Sequence, residues 1–352
     1  MKGLILSGGT GTRLRPITHT SAKQLVPIAN KPILFYGIED MVDAGITDIG
    51  IIVGSTAEEI ISAVGDGSKF GAKITYITQG SPLGLAHCVQ IAEQFLGSDN
   101  FVMYLGDNMI EAGLKDFVKD GIGELSIKLL LKEVEDPRQF GVAEIGKDGN
   151  IVNIIEKPTN PKSNLALVGV YMFSPEIHEA IKKIKVSSRG ELEITDAIQI
   201  LINSRNQVSY EMLDGWWIDT GKKDPLLECN RLVLDKIERN IFDNPSNNFS
   251  ADGRVQIGDA QIHNSRIIGP AVIADGAIIE NSYIGPYTSI GPGCTVKNSE
   301  VQNSVLLSGS SVIDVPRISD SLLGSEAVVQ KSTQKPSALK LMISDHSIVE
   351  VN

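Results

Sequence analysis

From residue 255 to 324 helical periodicity disappears, and short aliphatic positions recur instead, often followed by glycine: Ile257-Gly258, Ile268-Gly269, Ile284-Gly285 and Ile290-Gly291. Ile267, Ile273 and Ile279 are six residues apart, as are Ile284, Ile290 and Val296, with a slip of register between the two sets. No other stretch of the chain restricts the backbone so strongly. A six-residue aliphatic repeat is the signature of a parallel β-helix, whose coils stack so that each buries its neighbour's apolar edge. The segment predicts about four coils of roughly eighteen residues, enough for a stable stack. Residues 331–352 fit no repeat and are expected to cap it.

The chain before the repeats has a different character. Residues 1–110 alternate short aliphatic runs (2–7, 48–54, 73–79, 101–107) with amphipathic stretches that end in glycine, a common helix stop. Near-continuous apolar runs suit strands buried on both faces, and their alternation with helices predicts an α/β fold built on a Rossmann-like, mostly parallel sheet. Strands are predicted around 125–134, 140–158, 166–173 and 208–213, with "KDGN" as a hairpin turn. Helices are predicted at 175–185, 194–204 and 224–240. The polar "NPSNN" follows, so residues 1–240 and 241–352 are the expected domains.

A formal charge of −11 argues against a broad nucleic-acid surface, which needs a basic stripe. No apolar run is long enough to span a bilayer, and "GLIL" is too short for a signal peptide core. Cys88, Cys229 and Cys294 are scattered and lack metal spacing, which reads as reduced thiols in a cytoplasmic protein.

The first apolar run empties into "SGGTGTRLR", residues 7–15. No GK[ST] closes this loop, so it is not a P-loop, and Leu14 stands where a dinucleotide fingerprint has its third glycine. Exposed backbone N–H groups after a strand, with Arg13 beside them, suit a phosphate chain or a base edge; a tight turn with a surface arginine is the ordinary alternative. Further motifs follow: "SAKQLVPIANKP" with Lys23, "QGSPLGLA" after the third strand, "LGDN" with Asp107, "IEKP" with Glu156 and Lys157, "RGELEITDA" with Arg189, and "WWIDTG" with Asp219. Ligands of parallel α/β sheets bind at the carboxyl ends of strands, where the glycine loop, Gln79 and Asp107 all fall. Each residue also has a plainer structural reading: Asp107 and Asp219 as helix caps, Lys157 as surface, His87 as a structural residue without a partner.

Taken together, in order and spacing over residues 1–240, these motifs resemble the sugar-1-phosphate nucleotidyltransferase family, in its longer form with a hexapeptide-repeat tail. The resemblance implies a left-handed coil for the tail and nucleotidyl transfer from dTTP to glucose-1-phosphate, giving dTDP-glucose and pyrophosphate. It implies that Gly8, Gly9 and Gly11 let the nucleotide lie on the backbone while Arg13 and Lys23 face the triphosphate. Gln79 and Gly84 would read the base, Asp107 and Asp219 would hold Mg²⁺, and Gly141, Glu156 and Gly169 would bind the sugar. Lys157 and Arg189 would grip the sugar's phosphate. No general base is required, because a phosphate oxygen with a second pKa of about 6 is already ionised near neutrality.

Leu83 stands where shorter members often carry Asp, and thymine differs from uracil by one methyl group, so use of UTP beside dTTP is expected. Three alternatives stay open: another nucleotide–sugar pair, a second acetyl-transferring activity in a tail whose repeats hold only His263, and a silent regulatory homologue. A homo-oligomer is expected, with no nucleic-acid or membrane partner.

Overall fold

The computed structural model describes residues 1–9, 11, 14, 15, 17–19, 22–204, 208–244, 246, 248–332, 348 and 349. Arg13 lies outside the described residues. In chain order the elements before the repeats are β1 (Lys2–Ser7), β2 (Pro27–Ile28), β3 (Lys31–Pro32), α1 (Ile33–Asp43), β4 (Asp48–Val53), α2 (Ala57–Val64) and β5 (Lys73–Thr78). Next come α3 (Leu85–Ile91), α4 (Glu93–Leu96), β6 (Phe101–Leu105), β7 (Asn108–Ile110), α5 (Lys115–Val118), β8 (Ile127–Glu133), β9 (Gly141–Ile145), β10 (Ile151–Glu156) and β11 (Leu165–Phe173). The series ends with α6 (Glu176–Ile181), α7 (Ile194–Asn203), β12 (Val208–Met212), β13 (Trp217–Asp219) and α8 (Lys223–Leu234).

The chain forms two compact units: Met1–Thr10 with Ile33–Ile218, and Gly11–Pro32 with Asp219–Asn352. The boundary expected at 240 follows the change from helices to repeats. Compactness divides the chain otherwise, because α8 and the β2–β3 hairpin share hydrogen bonds with the coils, among them Asn30 Nδ2 to the Ile290 carbonyl at 2.8 Å.

The first unit is a sheet in the order β10-β9-β11-β6-β1-β4-β5, with β8 joined to β11 and β12 to β8. β1 pairs in parallel with β4 (Gly3 opposite Ile49) and with β6 (Lys2 opposite Phe101), and β4 pairs in parallel with β5. β11 runs antiparallel to β6, β8 and β9, so the parallel half continues into an antiparallel half without a break. Leu4, Ile5, Ile49, Ile51, Ile52, Phe101, Val102 and Met103 are fully buried, which is why these strands read as unbroken apolar runs. The glycines that end the amphipathic stretches adopt positive φ at Gly45 (81°), Gly65 (70°) and Gly97 (61°), backbone that L side chains rarely adopt.

In the second unit the repeats form a left-handed parallel β-helix whose coils pair in parallel on three faces. The expected coil of about eighteen residues is corrected to seventeen along most pairings and sixteen where Ile257 lies beside Ile273, Ile290 beside Leu306 and Val296 beside Val312. Ile262 lies beside Ile279 and Ile279 beside Val296; Ile267 lies beside Ile284 and Ile284 beside Val301. From Ile267 to Ile284, two steps of six residues and one of five make the turn. That short third step is the slip between Ile279 and Ile284, both of which are fully buried.

The corner after the strands of Ile262, Ile279 and Val296 carries asparagine at left-handed φ: Asn264 (46°), Asn281 (46°) and Asn298 (48°), followed by Asp314 (56°). Asparagine tolerates this region better than most residues with a side chain. Each amide also reaches the next coil, Asn264 to Asn281 at 2.8 Å, Asn281 to Asn298 at 3.2 Å and Asn298 to Asp314 at 2.7 Å. Beside them Ser265, Ser282 and Ser299 accept the backbone N–H of the coil above. The ladder therefore satisfies polar backbone that stacked strands leave unpaired at a bend.

Replacing Ile284 by Ala is expected to destabilise the full-length chain by about 2–5 kcal/mol in urea unfolding, as for other fully buried aliphatic truncations. At Asn281 the Gly variant should retain more stability than the Ala variant, since glycine keeps the left-handed conformation and Ala adds its cost of about 1–2 kcal/mol. Equal losses would show that the ladder bonds alone set the effect.

Candidate active site at the carboxyl edge of the sheet

Because β6, β1, β4 and β5 run the same way, their carboxyl ends share one edge. Gly8, Gly54, Gln79 and Gly106 each occupy a position at or directly after a strand end on that edge. The ends are tied by main chain: Gln79 N donates to the Val53 carbonyl at 2.8 Å, and Gly106 N to the Leu6 carbonyl at 2.9 Å. There is no room for side chains here. A Cβ on Gly54 would fall 2.8 Å from the Gly8 carbonyl oxygen, one on Gly106 2.9 Å from that of Leu6, and one on Gly8 2.9 Å from Gln79 Oε1. The result is a bare main-chain ledge with the Gln79 amide at its rim.

Gln79 is 9% exposed, and its Nε2 lies 3.1 Å from His87 Nδ1. The other end of the same amide, Oε1, faces Gly8. The expectation that His87 has no partner is corrected: one turn into α3, it faces back onto the strand end. The motif loop after β5 is held from the other side. Gly84 has φ 103°, and a Cβ there would lie 2.5 Å from the Leu192 carbonyl oxygen. Leu192 N donates to the Leu83 carbonyl at 2.7 Å and Ala86 N to that of Leu192 at 3.1 Å. Thus "SPLGLA" and "RGELEITD", far apart in sequence, are one main-chain construction.

A second cluster in the same unit gathers the later motifs. Gly141 begins β9 directly opposite Glu156 at the end of β10. A Cβ on Gly141 would meet Leu167 at 2.6 Å and Glu156 Oε2 at 3.2 Å, so glycine is what admits the carboxylate. Lys157 turns out of the strand at φ 42°, its N–H on the Phe140 carbonyl at 3.0 Å and its ammonium 3.8 Å from Glu156 Oε1. Arg189 lies among three carboxylates: Glu156 at 3.4 Å, Glu191 at 3.2 Å and Glu193 at 3.3 Å. Burial pushes the Glu156 carboxyl above the usual range; Lys157 and Arg189 pull the other way, and Glu193 adds to the rise. Gly169 (φ 86°) sits in β11 where its pairing with β8 is interrupted, and a Cβ would strike the Asn108 amide. The structure therefore brings Gly141, Glu156, Lys157 and Arg189 together, whereas Gly169 packs against the stretch that follows Asp107 in sequence.

Asp107 occupies the turn between β6 and β7. In the second unit, Gly11 (φ 64°) closes a turn in which Leu14 N and Thr18 Oγ1 both donate to its carbonyl, at 3.0 and 2.6 Å. A Cβ on Gly11 would be 3.0 Å from Lys23 Cβ, so the glycine and the lysine loop pack directly. Asp219 ends β13, and its Oδ1 accepts the Gly221 N–H at 2.9 Å; α8 starts later, at Lys223, with no side-chain cap, so the capping reading of Asp219 does not hold. The residue that sequence reasoning missed besides His87 is Asn230. It is 1% exposed on α8 among Leu226, Leu227 and Leu234, and a polar residue in an apolar helical stripe was the available signal.

The profile of the family described as "Nucleotidyl transferase" matches residues 2–236. The chain is 51% identical, over the whole length of both, to a glucose-1-phosphate thymidylyltransferase of Streptomyces griseus, and 47% identical, over 99% of each, to the low-salt glycan biosynthesis nucleotidyltransferase Agl11 of Haloferax volcanii. Among solved structures, a Bacillus anthracis chain assigned as a glucose-1-phosphate thymidylyltransferase, crystallised with a sucrose, superposes with a TM-score of 0.63 at 37% identity, covering 69% of this chain and 98% of that one. A glycine ledge at the sheet edge, a profile match over residues 2–236 and relatives aligned end to end all agree: the chain belongs to the nucleotidyl transferase family.

Proposed function

We propose that the protein joins glucose-1-phosphate to dTTP, releasing pyrophosphate and dTDP-glucose. The observation that carries the reading is the ledge of Gly8, Gly54 and Gly106 with the Gln79 amide at its rim, in a chain 51% identical from end to end to a thymidylyltransferase. A sugar-phosphate oxygen attacks the α-phosphorus of the nucleotide, a new P–O bond forms, and the bond from that phosphorus to the bridging oxygen breaks as pyrophosphate leaves. The nucleophile is already ionised, so the task is to hold two mutually repelling anions in line.

In this reading Gly8, Gly9 and Gly11 give the nucleotide bare backbone, and Gln79 and Gly84 meet the base. Arg13 and Lys23 screen the triphosphate and the leaving pyrophosphate. Gly141, Glu156 and Gly169 accommodate the sugar, and Lys157 and Arg189 its phosphate. Glutamate at position 156 suits this role, because a half-buried carboxylate opposite a glycine can accept sugar hydroxyls in the space a side chain would fill. Arg189 already has carboxylate partners, so the incoming phosphate exchanges one set of anionic contacts for another.

Asp107 and Asp219 are the proposed donors for Mg²⁺. The donor set fits that ion, which takes one or two carboxylates beside phosphate oxygens; among the described residues no group of three or more His, Cys, Asp or Glu is placed to hold a metal. Bound there, Mg²⁺ would offset phosphate charge. Among the described residues no helix is long and apolar enough to cross a membrane, so substrates that are small charged solutes raise no conflict.

A matrix of nucleoside triphosphates against sugar-1-phosphates, read by pyrophosphate release, should give the highest kcat/KM for dTTP with glucose-1-phosphate, with UTP second; no release from any pair would overturn the reading. EDTA, Asp107→Ala and Asp219→Ala should each abolish turnover without lowering Tm. Lys157→Ala should raise KM for glucose-1-phosphate far more than KM for dTTP.

The raised pKa of Glu156 has a further consequence. As pH falls, this carboxylate is protonated before an ordinary glutamate, and an acceptor for sugar hydroxyls is lost. KM for glucose-1-phosphate should therefore rise on the acid side above the usual glutamate range. In Glu156→Gln that limb should shrink to the titration of the ligand's own phosphate.

A further inference from the structure

The loop that carries Lys23 is built on the β-helix. Lys23–Leu25 form one 3₁₀ turn, with Leu25 N on the Ala22 carbonyl at 2.9 Å and Val26 N on that of Lys23 at 3.2 Å. The chain then passes into the β2–β3 hairpin, in which Pro27 lies opposite Pro32 and Ile28 opposite Lys31. The two residues at its tip, Ala29 and Asn30, both have left-handed φ, 47° and 63°. Asparagine accepts that region readily, but alanine does so at a cost of about 1–2 kcal/mol. Something outside the hairpin must hold the tip.

Two side-chain amides do so. Ala29 N donates to Asn230 Oδ1 at 2.9 Å, and Asn30 Nδ2 donates to the Ile290 carbonyl at 2.8 Å. Asn230 is itself fixed from the other side: its Oδ1 also accepts from Ser289 Oγ at 2.8 Å, and its Nδ2 reaches the Tyr287 carbonyl at 3.3 Å. Both Asn230 and Ser289 are buried, at 1% and 0% exposure. A buried amide with three partners tolerates little displacement, because losing any one strands a polar group. On the other flank of the loop, Ile17 Cδ1 lies 3.2 Å from where a Gly324 Cβ would stand, so a later coil supports that side too. All of these contacts lie inside the second unit.

We propose that Asn230 is a positioning residue for the Lys23 loop, and that coil residues 287–290 belong to the apparatus fixing that loop for nucleotide binding. The tail then contributes to the chemistry through geometry, beyond any contribution to stability. The inference rests on the reading that Lys23 meets the nucleotide's phosphates.

The test uses the full-length chain with Asn230→Ala, Ser289→Ala, Asn30→Gly and Lys23→Ala, and compares KM for dTTP, KM for glucose-1-phosphate, kcat and Tm. Asn30→Gly keeps the left-handed tip and deletes only the tie to Ile290, so it carries the test if Asn230→Ala does not fold. Expected are a rise of about tenfold in KM for dTTP, or an equal fall in kcat, in Asn230→Ala and Asn30→Gly, with KM for glucose-1-phosphate within twofold. In a Lys23→Ala background the same two substitutions should add less than twofold, because the group they position is gone. Full additivity, or dTTP constants within twofold of the parent in Asn30→Gly and Ser289→Ala, would overturn the proposal. If Lys23→Ala itself leaves both constants unchanged, it is the reading of Lys23 that fails, and the inference falls with it.

Discussion

The parallel pairing of β1 with β4 on one side and β6 on the other is the constraint from which the rest of the first unit follows. It aligns consecutive carboxyl ends on one edge, and it forces the chain to turn there several times in a narrow space. Side chains cannot be accommodated where the Gly8, Gly54 and Gly106 backbones approach neighbouring carbonyls within 2.8–2.9 Å of a would-be Cβ. Packing against main-chain oxygens therefore demands glycine at 54 and 106, while Gly8 leaves its backbone bare beside the Gln79 amide. A ledge of main chain is thus a by-product of how the sheet is closed, and in the proposed reading it is where the nucleotide lies.

The later motifs follow a related logic. Glycine at 141 leaves a gap across the β9–β10 pair, and Glu156 fills it from the opposite strand. Burial of that carboxylate would be costly in isolation, and Lys157 and Arg189 offset it. With Glu191 and Glu193 the cluster holds three carboxylates and two cations, and in the proposed reading a bound phosphate takes over some of the contacts of the cations. The main-chain bonds joining Leu83 and Ala86 to Leu192 link this cluster to the loop at the end of β5, so the two halves of the proposed substrate site share a backbone.

Much of this could be read from residue patterns. Aliphatic runs located β1, β4, β5 and β6, and glycine stops located the ends of α1, α2 and α4, because both signals are local. Gly8 and Gln79 were singled out because each follows a strand end, and Glu156 and Lys157 because their motif stands in the family's order. What escaped was non-local or hidden by averaging. A repeat with steps of six, six and five looks like a six-residue period with faults, and only pairing of Ile262 with Ile279 and Ile267 with Ile284 reveals seventeen. His87 gains meaning only from Gln79, eight residues earlier, once a helix folds back on a strand end. The grouping of Gly11–Pro32 with the tail depends on Asn230 and Ile290, and linear separation conceals it entirely.

The asparagine corners give the β-helix a further property. Asn264, Asn281 and Asn298 are bonded vertically, so each coil must present its corner directly above the one below. The step from Asn298 to Asp314 is one residue shorter than the two before it yet keeps its bond, so a one-residue change can be absorbed between corners, provided each corner returns to its line. Removing or duplicating a whole coil would leave the stack intact. Growth by whole coils, each of sixteen or seventeen residues, therefore preserves the ladder, and what must be kept is the return of every corner to the same line.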